Sequence, residues 1–592
     1  MFRGRIIAGV LATAIVFLWF YALWRLSSVQ PQFQIRIQDR LKESHTVGCG
    51  NAAAPNQFLW EDQVIPSKDL VWVDCVPGRQ CARLAVPLNY SDPEGEQAVI
   101  ALIRKPALVP KSSKFYRGPV LFNPGGPGFS GVDLIVQMGD LFASILGPQF
   151  DIVGFDSRGV GRSFPRASFF KTDVERALWG PTILSMLGTV SNNSYEGIAR
   201  TWASARLLGQ LAAENDDGYL KHINTDQTAR DMLRIVEAHG REKIQYWGFS
   251  YGSVLGATFA AMFPDKVERL VLDGVLDAEN YYATLWSNNL LDTNKGLDQF
   301  FSGCAEAGPL SCAFWAPTAD DVRQNFTNLI KSIRARPLPV RTDLNYGILD
   351  YNSVRLAIFI CLYAPYHFFQ FLAQGLAELA AGDGGRLLEF VKAPPFQCSC
   401  DPSEHLYDVV WDAQTAILCN DGDDIPDDLK STQEYFERMA NTSSWADVWS
   451  PIRLSCVGWP KFPKDHFQGP FDSNTSHPIL LVGNTADPVT PLASAKKMSH
   501  FFNGSVVLTQ DSPGHCSYSS PSVCTQKYIR DYFVHGTLPE PGTVCSPIGK
   551  PFPPLPVSSD TQVPFVAEED KELFKAVEQL SKIPFIPFPL RM

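Results

Sequence analysis

No run of lysine and arginine breaks this 592-residue sequence, which carries 62 acidic against 51 basic side chains and a formal net charge of −11. Nucleic acid is therefore not an expected partner, because phosphate binding needs a clustered positive face. Cys-x-x-Cys pairs and Cys/His clusters at zinc spacing are also missing. The 13 cysteines thus read as disulfide partners rather than metal ligands. The close pairs Cys75/Cys81, Cys304/Cys312 and Cys524/Cys545 fit that reading, and the odd total leaves at least one thiol free or paired outside the chain. The glycine-rich loop 123–128 has no P-loop lysine pattern, the three glycines of 151–163 lack G-x-G-x-x-G spacing, and there is no internal repeat. A phosphate cradle at the first and a dinucleotide fingerprint at the second are excluded on those grounds.

What is present begins with 45% hydrophobic and 12% aromatic residues, ample for a large core. Residues 6–24 are nineteen residues without a charge, preceded by Arg3 and Arg5 and followed by Arg25. As a helix it would span about 28 Å, near the thickness of a bilayer's hydrocarbon. No small-x-small site follows it, so a signal anchor is expected rather than a cleaved signal peptide. The flanking arginines favour a cytosolic N-terminus, giving a single-pass membrane protein with a lumenal or extracellular body; the alternative is a secreted protein. Asn-x-Ser/Thr triplets start at Asn89, Asn192, Asn325, Asn441, Asn474 and Asn503, which suits an oxidising, glycosylating compartment.

Along the chain, residues 1–5 read as a cytosolic tail, 6–24 as the anchor and 25–70 as a polar stem. From residue 71 short apolar runs alternate with helical patterns, the signature of a mainly parallel sheet with helices on both faces. The expected strands are 118–122 (GPVLF), 151–155 (DIVGF), 243–247 (KIQYW), 269–273 (RLVLD), 478–482 (PILLV) and 505–509 (SVVLT). Amphipathic helices are expected over 226–239 and 253–263, and a small helical excursion over 192–220. After Asp273 the alternation stops for some two hundred residues of aromatic-rich helical pattern, including 354–379. The layout is then a core over 71–276, a helical lid insertion over 277–450, core again over 451–545, and a Pro-rich tail over 546–592 with one short charged helix.

The chemistry concentrates at Gly248-Phe249-Ser250-Tyr251-Gly252, lying between an apolar strand and a helix rich in small residues. An abrupt strand-to-helix turn holds a serine in a strained conformation, and side chains at the flanking glycines would collide with neighbouring backbone. A serine hydroxyl needs a base oriented by an acid. In the α/β-hydrolase fold these follow the serine in the order acid, then histidine, in loops after later strands. Asp487 follows strand 478–482 and His515 follows strand 505–509. Asp273, at the end of an earlier strand, is a competing acid. The loop Asn123-Pro-Gly-Gly-Pro-Gly128 can bring a backbone N–H to a developing oxyanion, and the N–H groups of Gly126 and Tyr251 are the candidate donors. Asp156 and Arg158, in DIVGFDSRGVGRS, read as residues that organise nearby loops rather than react.

These stretches (NPGGPG, DIVGFDSRGVGRS, residues 246–274, NTADPVTP and GHCS, with YFVHGTLPEPGTVC near the end) together resemble the proline iminopeptidase and tripeptidyl aminopeptidase family, in particular its secreted tripeptidyl aminopeptidase branch. The resemblance runs over about 71–545, patchily through the insertion. It implies a lid over the sheet, no cofactor, and hydrolysis of short peptides from the free N-terminus through an acyl-enzyme. Asn123-Pro124 stands where proline iminopeptidases begin this loop with His. In the family a lid carboxylate holds the substrate amine. The insertion is acidic at Asp320-Asp321 and at Asp421–Asp424, but no residue of either is assigned to that role, since such runs usually form a solvated face. Two alternatives stand beside the exopeptidase: an esterase or amidase acting on a small metabolite, and an inactive membrane-tethered binding protein.

Overall fold

The structure is a computed structural model that describes residues 60–179, 195–392, 410–553 and 567–583. The expected cytosolic tail, anchor and most of the stem, together with Asn192, lie outside these residues. Among the described residues, no helix is long and apolar enough to cross a membrane.

The strands are β1 (Val73–Asp74), β2 (Gln80–Pro87), β3 (Gln97–Lys105), β4 (Gly118–Asn123), β5 (Phe150–Phe155), β6 (Ile244–Phe249), β7 (Val267–Asp273), β8 (Leu338–Arg341), β9 (Tyr346–Leu349), β10 (Leu480–Ala486), β11 (Val506–Pro513) and β12 (Val544–Cys545). Ten of them form one sheet in the order β1-β2-β3-β5-β4-β6-β7-β10-β11-β12. β1, β2 and β3 pair antiparallel, β3 meets β5 antiparallel, and every pairing from β5 to β12 is parallel. Strands β4, β5 and β6 are buried along their whole length, as a sheet covered on both faces requires.

Side-chain alternation divides the core into two layers. Val120 and Phe122 of β4, Trp247 and Phe249 of β6 and Val271 of β7 point to one face, where helices Gly131–Leu146, Val523–His535 and Lys571–Ser581 supply Phe142, Phe533 and Val577. Leu121, Tyr246, Leu270 and Leu272 point to the other face, covered by helices Thr225–Ala238 and Tyr251–Met262. Each large apolar side chain so buried contributes roughly 2 kcal/mol.

Between β7 and β10 the chain is mainly helical, with the small hairpin β8–β9 as its β element. The helical pattern expected over 354–379 is two helices, Tyr351–Tyr363 and Pro365–Ala380. Pro365 has no N–H to continue the first helix and presets the first turn of the second, while Ala364 before it leaves the helical region at φ −134°. A disulfide, Cys419–Cys456, ties the end of helix Val410–Asp421 to the turns at the insertion's far end. Closing a loop of this length, 37 residues, is worth about 4 kcal/mol against the unfolded chain. The three sequence-close pairs also form disulfides.

Both ends of the described chain differ from the stem and tail expected. Val64 is buried, and Ser67 exchanges backbone hydrogen bonds with Arg83 and Ala85 of β2, so the folded body begins before residue 71. At the other end Leu573, Val577 and Leu580 pack under the sheet, and Phe552 lies against Phe300 and Phe369. The short charged helix expected near 568–580 is helix Lys571–Ser581; its apolar residues at i, i+4 and i+7 give it a face to bury, so it docks on the body rather than lying in an extended tail.

Candidate active site

Ser250 is the residue between β6 and helix Tyr251–Met262, and its backbone sits at φ 57°, ψ −122°, where L side chains are strained. Two glycines make that turn possible. A Cβ on Gly248 would lie 2.4 Å from the Gly252 carbonyl, and one on Gly252 would lie 2.8 Å from that of Asn123. The Ser250 N–H donates to the Asp273 carbonyl at 2.9 Å, which pins the turn to the end of β7.

His515 comes from the loop that leaves β11. Its N–H donates to the Tyr363 carbonyl at 2.8 Å, and the Tyr363 ring meets the imidazole edge-on at 5.1 Å. The helical insertion thus holds the histidine that the sheet presents. Asp487, one residue past β10, is fully buried and lies 3.0 Å from His515 Nδ1 through each carboxylate oxygen. It also accepts the N–H groups of Val489, Thr490 and Cys516 at 2.8–3.0 Å. Burial by itself would push this carboxyl up, but His515 and these N–H donors together hold it below the usual aspartate range. An ionised carboxylate can only accept, so Nδ1 carries the proton and Nε2 is left as a base. The Thr490 hydroxyl sits 3.1 Å from the same Nδ1.

Ser250, His515 and Gly126 line one cavity. The glycine loop rides on the Ser250 turn: a Cβ at Gly125 would meet the Phe249 carbonyl at 2.4 Å and Tyr251 N at 3.0 Å. Asn123 Oδ1 takes the Gly125 N–H at 2.9 Å, so asparagine at this position braces the loop. Gly125 thus packs on the Ser250 turn, and its neighbour Gly126 lines the same cavity as Ser250. The side chain of Tyr251 points elsewhere, its phenol 2.5 Å from the Thr225 hydroxyl.

The competing acid, Asp273, makes no bond to His515. It accepts Ser517 N at 2.7 Å, Ser517 Oγ at 2.5 Å and Trp247 Nε1 at 3.2 Å, and burial raises it to about 6. Asp156 accepts Ser130 Oγ and the N–H groups of Val132 and Arg162, tying the start of helix Gly131–Leu146 to its own loop. Arg158 is buried on Asp231 at 2.6 Å and on the carbonyl of Pro87. Neither lines the cavity with Ser250.

The acidic runs of the insertion divide. Asp320 and Asp321 are exposed in the first turn of a helix, and Asp423 and Asp424 are exposed. Asp421 is fully buried and bonded to Thr225 and Tyr281, so it is no part of a solvated face. Its helix, Val410–Asp421, is buried almost throughout, a signal that composition alone could not give. Sequence reasoning also missed the insertion residues of the cavity, among them Trp286, Asn289, Tyr363, Gln414 and Trp449. Among the described residues no group of three or more His, Cys, Asp or Glu is placed to hold a metal.

The family described as alpha/beta hydrolase fold matches residues 118–311, which contain Gly126, Ser250 and Tyr251. The family described as TAP-like protein matches residues 441–545, which contain Asp487 and His515. The chain is 28% identical to the serine protease Hip1 of Mycobacterium tuberculosis, over 84% of this chain and 95% of that one. It is 25% identical to the tripeptidyl aminopeptidase of Streptomyces lividans, over 81% and 87%. It is 29% identical to a carboxylesterase B of M. tuberculosis, over 79% and 86%.

Proposed function

Because this chain is an α/β-hydrolase whose C-terminal part is TAP-like, we propose that it is a serine peptidase in which Ser250 attacks the scissile carbonyl, His515 is the base and Asp487 orients it. The observation that carries this reading is the buried Asp487 carboxylate on His515 Nδ1, in one cavity with a strained Ser250. The Ser250 hydroxyl proton passes to His515 Nε2 as Oγ bonds to the carbonyl carbon. The oxyanion then receives the N–H groups of Gly126 and Tyr251, each such donor being worth about 3 kcal/mol. Collapse expels the amine, which takes the proton back from His515, and water repeats the cycle on the acyl-enzyme.

The finer reading is an exopeptidase that releases short peptides from a free N-terminus. Its support is the likeness to tripeptidyl aminopeptidases and the insertion that lies over the cavity. The second reading, an esterase, has its support in the equally similar carboxylesterase B and in the apolar walls around Ser250. A free-amine tripeptide anilide, its N-acetylated twin and a short acyl ester, each tested with wild type and Ser250→Ala, separate the two. Cleavage of the free-amine peptide alone establishes the exopeptidase. Ester cleavage with indifference to acetylation establishes the esterase, and activity retained by Ser250→Ala would sink the site itself.

We read residues 6–24 as a membrane tether, with the catalytic body in an oxidising compartment. Support comes from the disulfides and from the exposure of Asn325, Asn441, Asn474 and Asn503 at the glycosylation triplets. Alkaline carbonate extraction of membranes from expressing cells tests it: release of the chain into the supernatant would overturn the tether.

A further inference from the structure

Trp286 lines the cavity with Ser250 and His515, yet it is held at a cost on two counts. Its backbone lies at φ 53°, in the left-handed region that a bulky residue rarely adopts. Its indole N–H is buried and has no acceptor. Other buried tryptophans place theirs: Trp247 on Asp273, Trp445 on Asn294, Trp449 on the Trp286 carbonyl and Trp459 on Asn420. Trp179 and Trp202 share the lack of an acceptor, but neither lines this cavity.

The strain is imposed from more distant parts of the segment between β7 and β10. Thr284, itself at φ 49°, gives its hydroxyl proton to the Asp423 carbonyl at 2.7 Å, and its own carbonyl accepts Arg453 Nε at 2.7 Å. The Leu285 carbonyl accepts the Tyr435 hydroxyl at 2.8 Å, and that of Trp286 accepts the Trp449 indole at 3.1 Å. Three consecutive residues are thus tied, through four hydrogen bonds, to Asp423, Tyr435, Trp449 and Arg453 more than a hundred residues on. The result fixes a large apolar ring and an unspent donor beside the nucleophile. The Trp286 ring lies 6.2 Å from that of Trp449, and Leu276 and Ile452 line the same cavity, an apolar lining suited to an uncharged side chain. A buried donor without a partner on a cavity wall is the arrangement expected of a group kept for a ligand.

We infer that Trp286 determines substrate choice: its indole N–H binds a carbonyl oxygen of the acyl group, while that group's apolar side chain packs between Trp286, Trp449 and Ile452. The substrate class is an acyl donor with an apolar side chain and a second carbonyl beyond the scissile one, such as a peptidyl or N-acylated aromatic residue. The inference rests on the reading of Ser250 as nucleophile and holds for amide or ester substrates alike.

The test compares two p-nitrophenyl esters, of N-acetylphenylalanine and of 3-phenylpropanoic acid, which share the ring and the leaving group but not the second carbonyl. With Trp286→Phe in the full chain, KM for the N-acetylphenylalanyl ester is expected to rise about fivefold, the effect of one lost neutral hydrogen bond. Loss of ring packing acts on both esters alike, so the readout is the ratio of their KM values, N-acetylphenylalanyl over phenylpropanoyl, which is expected to rise about fivefold. A second variant with benzothienylalanine at position 286, the same shape without the N–H, guards against loss of packing and is expected to give the same split. Equal changes for the two esters, or none for either, would overturn the role of the indole N–H alone. Ester hydrolysis retained by Ser250→Ala would overturn the reading of the nucleophile and this inference with it.

Discussion

Asp421 accepts both the backbone N–H and the hydroxyl of Thr225, at 2.7 and 2.5 Å, although nearly two hundred residues separate them. The same Thr225 oxygen lies 2.5 Å from the phenol of Tyr251, and Tyr281 donates to Asp421 at 2.6 Å. A buried carboxylate of the insertion therefore holds the start of helix Thr225–Ala238 and, through it, the residue after Ser250. Burial pushes this carboxyl above its usual range, opposed by His466 and these donors. Asp421→Asn turns one acceptor oxygen into an amide facing donors. It is expected to cost about 2 kcal/mol in urea unfolding and to lower kcat, because the Tyr251 N–H loses its support. Unchanged stability would show that the contact is not made in solution.

Ser250→Ala and Ser250→Gly separate chemistry from strain. Both are expected to lower kcat by about three orders of magnitude or more, since no nucleophile is left. Only glycine accepts φ 57°, ψ −122° without penalty, so Ser250→Gly is expected to unfold at higher denaturant than Ser250→Ala, by about 1 kcal/mol. Equal midpoints would refute the stored strain.

Asp273 gives a pH dependence whose sign follows from its direction. Its carboxyl lies at about 6 when folded, raised from 3.8 by burial against the pull of Ser517 and Trp247. The folded state therefore keeps a proton that the unfolded chain has released between those values. This stabilisation is complete below about pH 4 and is lost as pH rises through about 6. Asp273→Asn cannot titrate. The stability of wild type relative to this variant is expected to fall as pH goes from about 4 to about 7, read by urea unfolding at several pH values. A difference that is flat or rises with pH would contradict the assignment.

Gly128 tests how closely the insertion sits on the glycine loop. A Cβ there would lie 2.8 Å from the Val410 carbonyl and 3.1 Å from Gln414 N, both on helix Val410–Asp421. Gly240 also has a positive φ, 71° against 102°, but has nothing within 4 Å of a Cβ. Alanine at Gly240 is expected to cost about 1 kcal/mol through its backbone alone. Alanine at Gly128 is expected to cost at least about 1 kcal/mol more and to depress activity, because the helix must shift off the oxyanion loop. Equal costs would mean the insertion is loosely seated.

The sequence by itself determined what depends on neighbours along the chain. The six expected strands all form, within two to four residues at their ends, because each is a short apolar run closed by a turn residue. Ser250 was legible because a strained turn needs glycines at fixed offsets, and Asp487 and His515 because loop order after successive strands is a local property. Tertiary structure decided the rest. Whether Asp487 or Asp273 serves His515 depends on which strand end faces the histidine loop, and β10 lies between β7 and β11. The antiparallel β2–β3 edge gave no distinct signal, since its strands gain partners only from the sheet they join. Asp421 reads as one more acid in a charged run until its helix is buried, and Trp286 as one more core tryptophan until its indole is found without an acceptor beside Ser250. Burial and hydrogen-bond satisfaction are properties of the packed whole, formed by residues tens to hundreds of positions apart, and no local pattern encodes them.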